Sequence, residues 1–115
     1  VGLLWGTWHL LGDFWGNAGP FGSLYLARGL LWVLTLTAYR VLMVWVYSRT
    51  SSLVLAQLMH AVFTGGQAIF GGTGAPGEYL VWYGAFAGAL WVGVVALALA
   101  TRNERPALKV SIEIP

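Results

Sequence analysis

The chain has 115 residues, of which 58% are apolar before its sixteen glycines are counted, and only 9% carry a charge. A soluble domain has roughly 45–50% apolar residues with glycine included and about 25% charged ones, so a soluble globular domain is excluded, and with it a disordered chain, a collagen and a nucleic-acid reader. The net charge is +2, and the absence of cysteine excludes disulfide staples, thiolate zinc sites and a cysteine nucleophile.

Four apolar segments follow one another. The first, residues 1–15, begins on Val1 inside an apolar run with no basic leader and no small-residue cleavage site. It reads as a helix truncated at its start rather than a signal peptide. The second, residues 24–47, contains Arg28 and Arg40; the third is residues 52–70; the fourth, residues 79–100, has 22 residues and no charge. About 20 apolar residues in a helix cross a bilayer core, and the lack of strict apolar/polar alternation favours helices over barrel strands. The expected fold is therefore all-α, a multi-pass transmembrane bundle of about four helices over residues 1–101, followed by a polar tail, residues 102–115. Breaks are expected at residues 16–20 (GNAGP), 48–51 (SRTS) and 71–77 (GGTGAPG).

Basic residues set the orientation. With four spans, Arg49, Arg102, Arg105 and Lys109 fall on one side, against at most Arg28 on the other. The excess predicts a cell-membrane protein with a cytoplasmic C-terminus. Trp15, Tyr25, Tyr47 and Tyr79 stand near segment ends, where aromatic side chains anchor at the interface.

Polar groups are costly in hydrocarbon, so those inside the segments carry information. Gln57, His60, Thr64 and Gln67 are spaced to share one helical face. Interhelical hydrogen bonding explains one such residue well; four in register point to a hydrophilic cavity wall. His9 and Asp13, four apart, share a face with Gly2 and Gly6. A carboxylate one turn from a histidine can orient its ring and raise its basicity, whereas an Asp13 at the interface would simply be solvated. At 1.5 Å per residue, His60 lies about 12 Å from the Ser52 end of the third segment and His9 about 9 Å inside Trp15 at the opposite face, so the two are expected to approach one depth in the bilayer. Two histidines fall short of the three protein ligands of a catalytic zinc. Arg40, about 10 Å inside Tyr47, can snorkel, pair with an acid elsewhere or hold a substrate carboxylate. Gly84 and Gly88 on the fourth segment form a small-xxx-small packing pattern.

The run Gly2-Leu3-Leu4-Trp5-Gly6-Thr7-Trp8-His9-Leu10 resembles the second motif, FxxxH, of the CPBP family of CAAX proteases and bacteriocin-processing enzymes, also called Abi, with Trp5 in place of the Phe. The stretch from Trp45 through Arg49-Thr50-Ser51-Ser52 to Leu58-Met59-His60-Ala61 resembles the third motif, HxxxN or HxxxD after an RTxS turn. Thr64 stands at the Asn/Asp position, a departure from the pattern. The resemblance covers residues 1–70. The family's first motif, EExxxR, is absent from these residues and is expected upstream of Val1.

The resemblance implies an intramembrane endopeptidase that hydrolyses a peptide bond of a membrane-embedded or lipidated substrate, with water activated by the upstream Glu. His9 and His60 would ligate zinc or another divalent metal, or stabilise the oxyanion in a metal-free glutamate mechanism. Thr64 would act with them, and Trp5, Asp13, Gln57 and Arg40 would support the site or the substrate. Lacking its general base, the fragment alone is expected to be inactive. Two other readings stand beside this one: a non-catalytic membrane immunity or scaffold protein of the same fold, and a transporter or proton relay using His9, Asp13, His60 and Arg40.

Overall fold

A computed structural model describes residues 2–70 and 74–102, with the backbone alone at residues 16–20 and 70. The elements are α1 (Gly2–Phe21), a 3₁₀ turn (Gly22–Leu24), α2 (Tyr25–Thr50), α3 (Leu53–Phe70) and α4 (Pro76–Thr101). The all-α expectation holds, with four helices and no strand among the described residues. Most of the expected tail, Arg105 and Lys109 included, lies outside the described residues, as do residues 71–73 of the glycine-rich connector.

Three boundaries differ from expectation. α1 runs through the GNAGP stretch to Phe21. Pro20 lies in the last turn, where its missing N–H costs one bond and interrupts no continuing ladder. The chain turns instead at Gly22, whose φ of +50° suits glycine. α2 likewise absorbs most of the SRTS turn, because the Ser48 and Thr50 hydroxyls donate back to the carbonyls of Trp45 (2.7 Å) and Val46 (2.9 Å) and are compatible with continued helix. The turn reduces to Ser51, at φ +50°, and Ser52, whose Oγ accepts from the Leu55 N–H at 3.2 Å and caps α3. α4 starts at Pro76, a residue suited to the first helical position, with Glu78 in the first turn.

α2 is the central helix. α1 packs antiparallel to it: Gly2 lies against Thr37 and Arg40, Gly6 against Val33, Leu10 against Gly29 and Phe14 against Tyr25. The four-residue step on both helices meshes their ridges. Glycine allows the approach, since a Cβ on Gly6 would stand 3.1 Å from Val33 Cα. The small-xxx-small pattern of Gly84 and Gly88, by contrast, packs against nothing: a Cβ on either meets open space. α3 is antiparallel to α2, with Tyr39 stacked on Phe63 at 4.3 Å and its hydroxyl on the Met59 carbonyl at 2.7 Å. α4 is parallel to α2, as the Arg28–Tyr79 and Trp32–Tyr83 contacts advance together.

The buried apolar residues are Leu36, Ala38 and Met43 of α2, Phe63 of α3, and Tyr83 and Ala87 of α4. Large apolar side chains face outward on every helix, among them Leu4, Leu26, Val54 and Val81, each at least 75% exposed. α2 with its leading turn (29 residues) and α4 (26 residues) are long and apolar enough to cross a membrane, yet only 28% and 6% of their most apolar stretches are buried.

Candidate functional site

His9 lies on α1 one turn after Trp5, and its Nδ1 is 2.9 Å from the Trp5 carbonyl oxygen. A carbonyl only accepts, so Nδ1 carries the hydrogen; in the neutral form of the ring, Nε2 is then the nitrogen with a free lone pair. A backbone group thus orients the ring in the manner the sequence suggested for Asp13. The Trp5 indole meets His9 edge-on at 5.4 Å between centroids and meets His60 of α3 at 5.7 Å, tilted by 42°. The sum of these distances caps the separation of the imidazoles at about 11 Å. Two histidines 51 residues apart in sequence therefore share one indole.

His60 is exposed, and so are Gln57 and Thr64 on either side of it. Gln67 departs from this open stripe. It is half-buried and accepts a hydrogen bond from the buried Tyr83 hydroxyl, tying α3 to α4. The expected four-residue wall is thus three exposed polar groups with an interhelical bond at its end. The hydrogen bond from Tyr39 to the Met59 carbonyl fixes the backbone next to His60 against α2.

Asp13 faces α2. Its carboxylate takes a hydrogen bond from Arg28 Nη2 at 2.9 Å and an ion pair from Nη1, with the side chains 17% and 10% exposed. The Phe21 and Tyr79 rings flank the guanidinium at 4.8 and 5.3 Å, so the pair joins α1, α2 and α4. The expectation of a simply solvated Asp13 is corrected: the antiparallel hairpin puts it opposite a cation. Arg40 is half-buried beside Gly2, and no carboxylate among the described residues pairs with it. An open cleft of about 650 Å³ lies along α1, lined by Trp8, His9, Asp13, Trp15 and Trp32 among others; Trp5 and His60 are not in its lining. No cluster of three or more His, Asp or Glu side chains suited to a metal occurs among the described residues.

No protein-family model matches the chain, and neither a curated protein nor a solved structure resembles it significantly. The site therefore rests on its own geometry. That geometry adds Arg28, Tyr39 and Tyr83 to the residues singled out in the sequence. Arg28 had a signal, since opposite charges bracketing the turn of an antiparallel hairpin face each other. Tyr39 and Tyr83 had none, because a tyrosine in an apolar segment reads as core or interface alike.

Proposed function

We propose that the chain is a membrane-embedded part of a CPBP-type intramembrane protease, in which His9 and His60 converge on the scissile peptide bond of a membrane-associated substrate. Convergence of the two motif histidines on the Trp5 indole carries this reading. Membrane placement is supported by α4. It is apolar all round, and such a helix is either the core of a large protein or a membrane span; with 6% of its apolar stretch buried it is no core helix here. Orientation is supported by Arg49 and Arg102, which close parallel helices and so lie at one end, while Arg28 at the other end is neutralised by Asp13. Gln57, His60 and Thr64 cannot face acyl chains without cost, so in the bilayer a water-filled cavity or further protein covers them.

The site needs a carboxylate from outside the described residues. Asp13 is committed to Arg28, and Glu78 stands in the first turn of α4. That carboxylate would activate the attacking water. His9, with a bare Nε2, is built as a metal ligand or proton acceptor; as a neutral ring in this tautomer it cannot donate to an oxyanion from Nε2. His60 and Thr64, which the indole and the helix turn bring alongside, would stabilise the developing oxyanion or complete the metal site.

The test is peptidase activity of the full-length protein in proteoliposomes, on a panel of transmembrane and prenylated fluorogenic peptides. His60→Ala is expected to cut turnover by on the order of 10²–10³, the loss for one oxyanion donor, with membrane insertion retained. Loss of activity with 1,10-phenanthroline, restored by zinc, assigns the metal route. Wild-type turnover in both His9→Ala and His60→Ala would end the protease reading.

A further inference from the structure

Trp5 meets both histidines. Its carbonyl oxygen accepts from His9 Nδ1 at 2.9 Å, and its indole lies 5.4 Å from the His9 ring and 5.7 Å from that of His60. The next residue, Gly6, seats α1 against Val33 and so fixes the height of the indole. α1 and α3 are both antiparallel to α2 and therefore run parallel to each other. With Trp5 beside His60, Thr64 comes level with His9, one turn further along each helix.

The indole N–H is the group in this set that the proposed chemistry leaves unused. It makes no hydrogen bond among the described residues. The N–H groups of Trp45 and Trp91 are also unpartnered, but those are sealed in protein, whereas Trp5 Nε1 is not among the buried atoms. An indole nitrogen donates and does not accept, so it suits an oxygen that gains negative charge. His9 in its neutral form has given its one N–H to the Trp5 carbonyl and has none left to offer. The chain also departs from the two motifs it resembles at two positions. Thr64 replaces an Asn or Asp, and against Asn it lacks the amide N–H; Trp5 replaces a Phe and brings an N–H.

We propose that the Trp5 indole N–H is a catalytic hydrogen-bond donor to the oxyanion of the tetrahedral intermediate, a role that rests on the protease reading. The attacking water forms the new C–O bond and passes a proton to the activating carboxylate. The carbonyl π pair moves onto its oxygen, where the indole N–H meets it without giving up its own proton. When the carbonyl reforms, the C–N bond breaks and the amine leaves with the proton held by the carboxylate. The contacts to His9 and Val33 hold the donor in place beforehand, so the step needs no reorganisation of it.

The experiment is steady-state kinetics of the full-length protein in proteoliposomes. Trp5→Phe keeps an aromatic ring between the histidines and removes only the donor. It should lower kcat by on the order of 10², the loss for one oxyanion donor, and leave KM unchanged. Adding Thr64→Asn to Trp5→Phe should recover about tenfold or more of that loss, because an amide N–H is then supplied from the facing helix. A packing role for the indole predicts no such rescue. Wild-type kcat in Trp5→Phe, or a loss that Thr64→Asn does not relieve, overturns the proposal. If Trp5→Phe does not fold, 3-benzothienylalanine at position 5 keeps the bicyclic shape without the N–H, and an unchanged kcat there overturns it equally. His60→Ala measured alongside separates the two failures. Wild-type kcat in Trp5→Phe with His60→Ala impaired ends this proposal alone. Wild-type turnover in both His9→Ala and His60→Ala, or a wild type without peptidase activity, ends the protease reading and this role with it.

Discussion

Asp13→Asn tests the most consequential contact between α1 and α2. The carboxylate meets Arg28 through two nitrogens, one at 2.9 Å, in a pair whose side chains are 17% and 10% exposed. Removing the negative charge leaves a cation at low accessibility, with the Phe21 and Tyr79 rings beside it among the described residues. Breaking a buried pair by removing one partner costs about 3–5 kcal/mol. The two rings return about 1–2 kcal/mol where the cation is desolvated, and the asparagine oxygen keeps one neutral hydrogen bond. A net loss of about 2–3 kcal/mol is expected. Asp13→Asn combined with Arg28→Gln removes both charges, so the double variant should be less destabilised than the two single losses summed, with a coupling of about 2 kcal/mol. Stability is read from the reversible transition in mixed micelles, followed by tryptophan fluorescence. Strict additivity of the two substitutions would refute the argument, since charges that do not interact cannot be coupled.

Glycine substitutions should split by position. Gly6→Ala drives a Cβ to 3.1 Å from the Val33 backbone and should cost about 1–3 kcal/mol in the same assay, whereas Gly84→Ala meets open space and should be neutral or gain up to about 1 kcal/mol of helix propensity. Thr64→Asn restores the commoner residue of the resembling motif, and turnover of the full-length protein should be kept or raised; a fall would show that Thr64 does not stand in for an amide. Trp5→Ala removes the ring between His9 and His60, so spin labels placed on α1 and α3 should report a broader separation; an unchanged distance distribution would remove the indole from its positioning role. A reporter fused after Pro115 should be active only as a cytoplasmic fusion, and periplasmic activity would reverse the orientation.

Length and side-chain character determined the helices. A run of about 20 apolar residues without alternation satisfies its backbone only as helix, and residues 79–100 declare α4 without any partner. That His9 and His60 could approach each other was an expectation from the fixed rise of a helix; that both rings meet the Trp5 indole came from the structure. Helix ends were less legible. Whether GNAGP and SRTS break a helix depends on hydroxyl back-bonds and on where a left-handed residue can sit, and those are decided by competition among local hydrogen bonds rather than by composition. Tertiary structure alone decided the partners. It paired Asp13 with Arg28 and gave His9 a backbone carbonyl, turned Gln67 toward Tyr83, and used Gly2 and Gly6 for packing while leaving Gly84 and Gly88 open. The physical reason is that periodicity fixes which residues share a face, while the identity of the facing helix, its direction and its register come from the packing of whole surfaces.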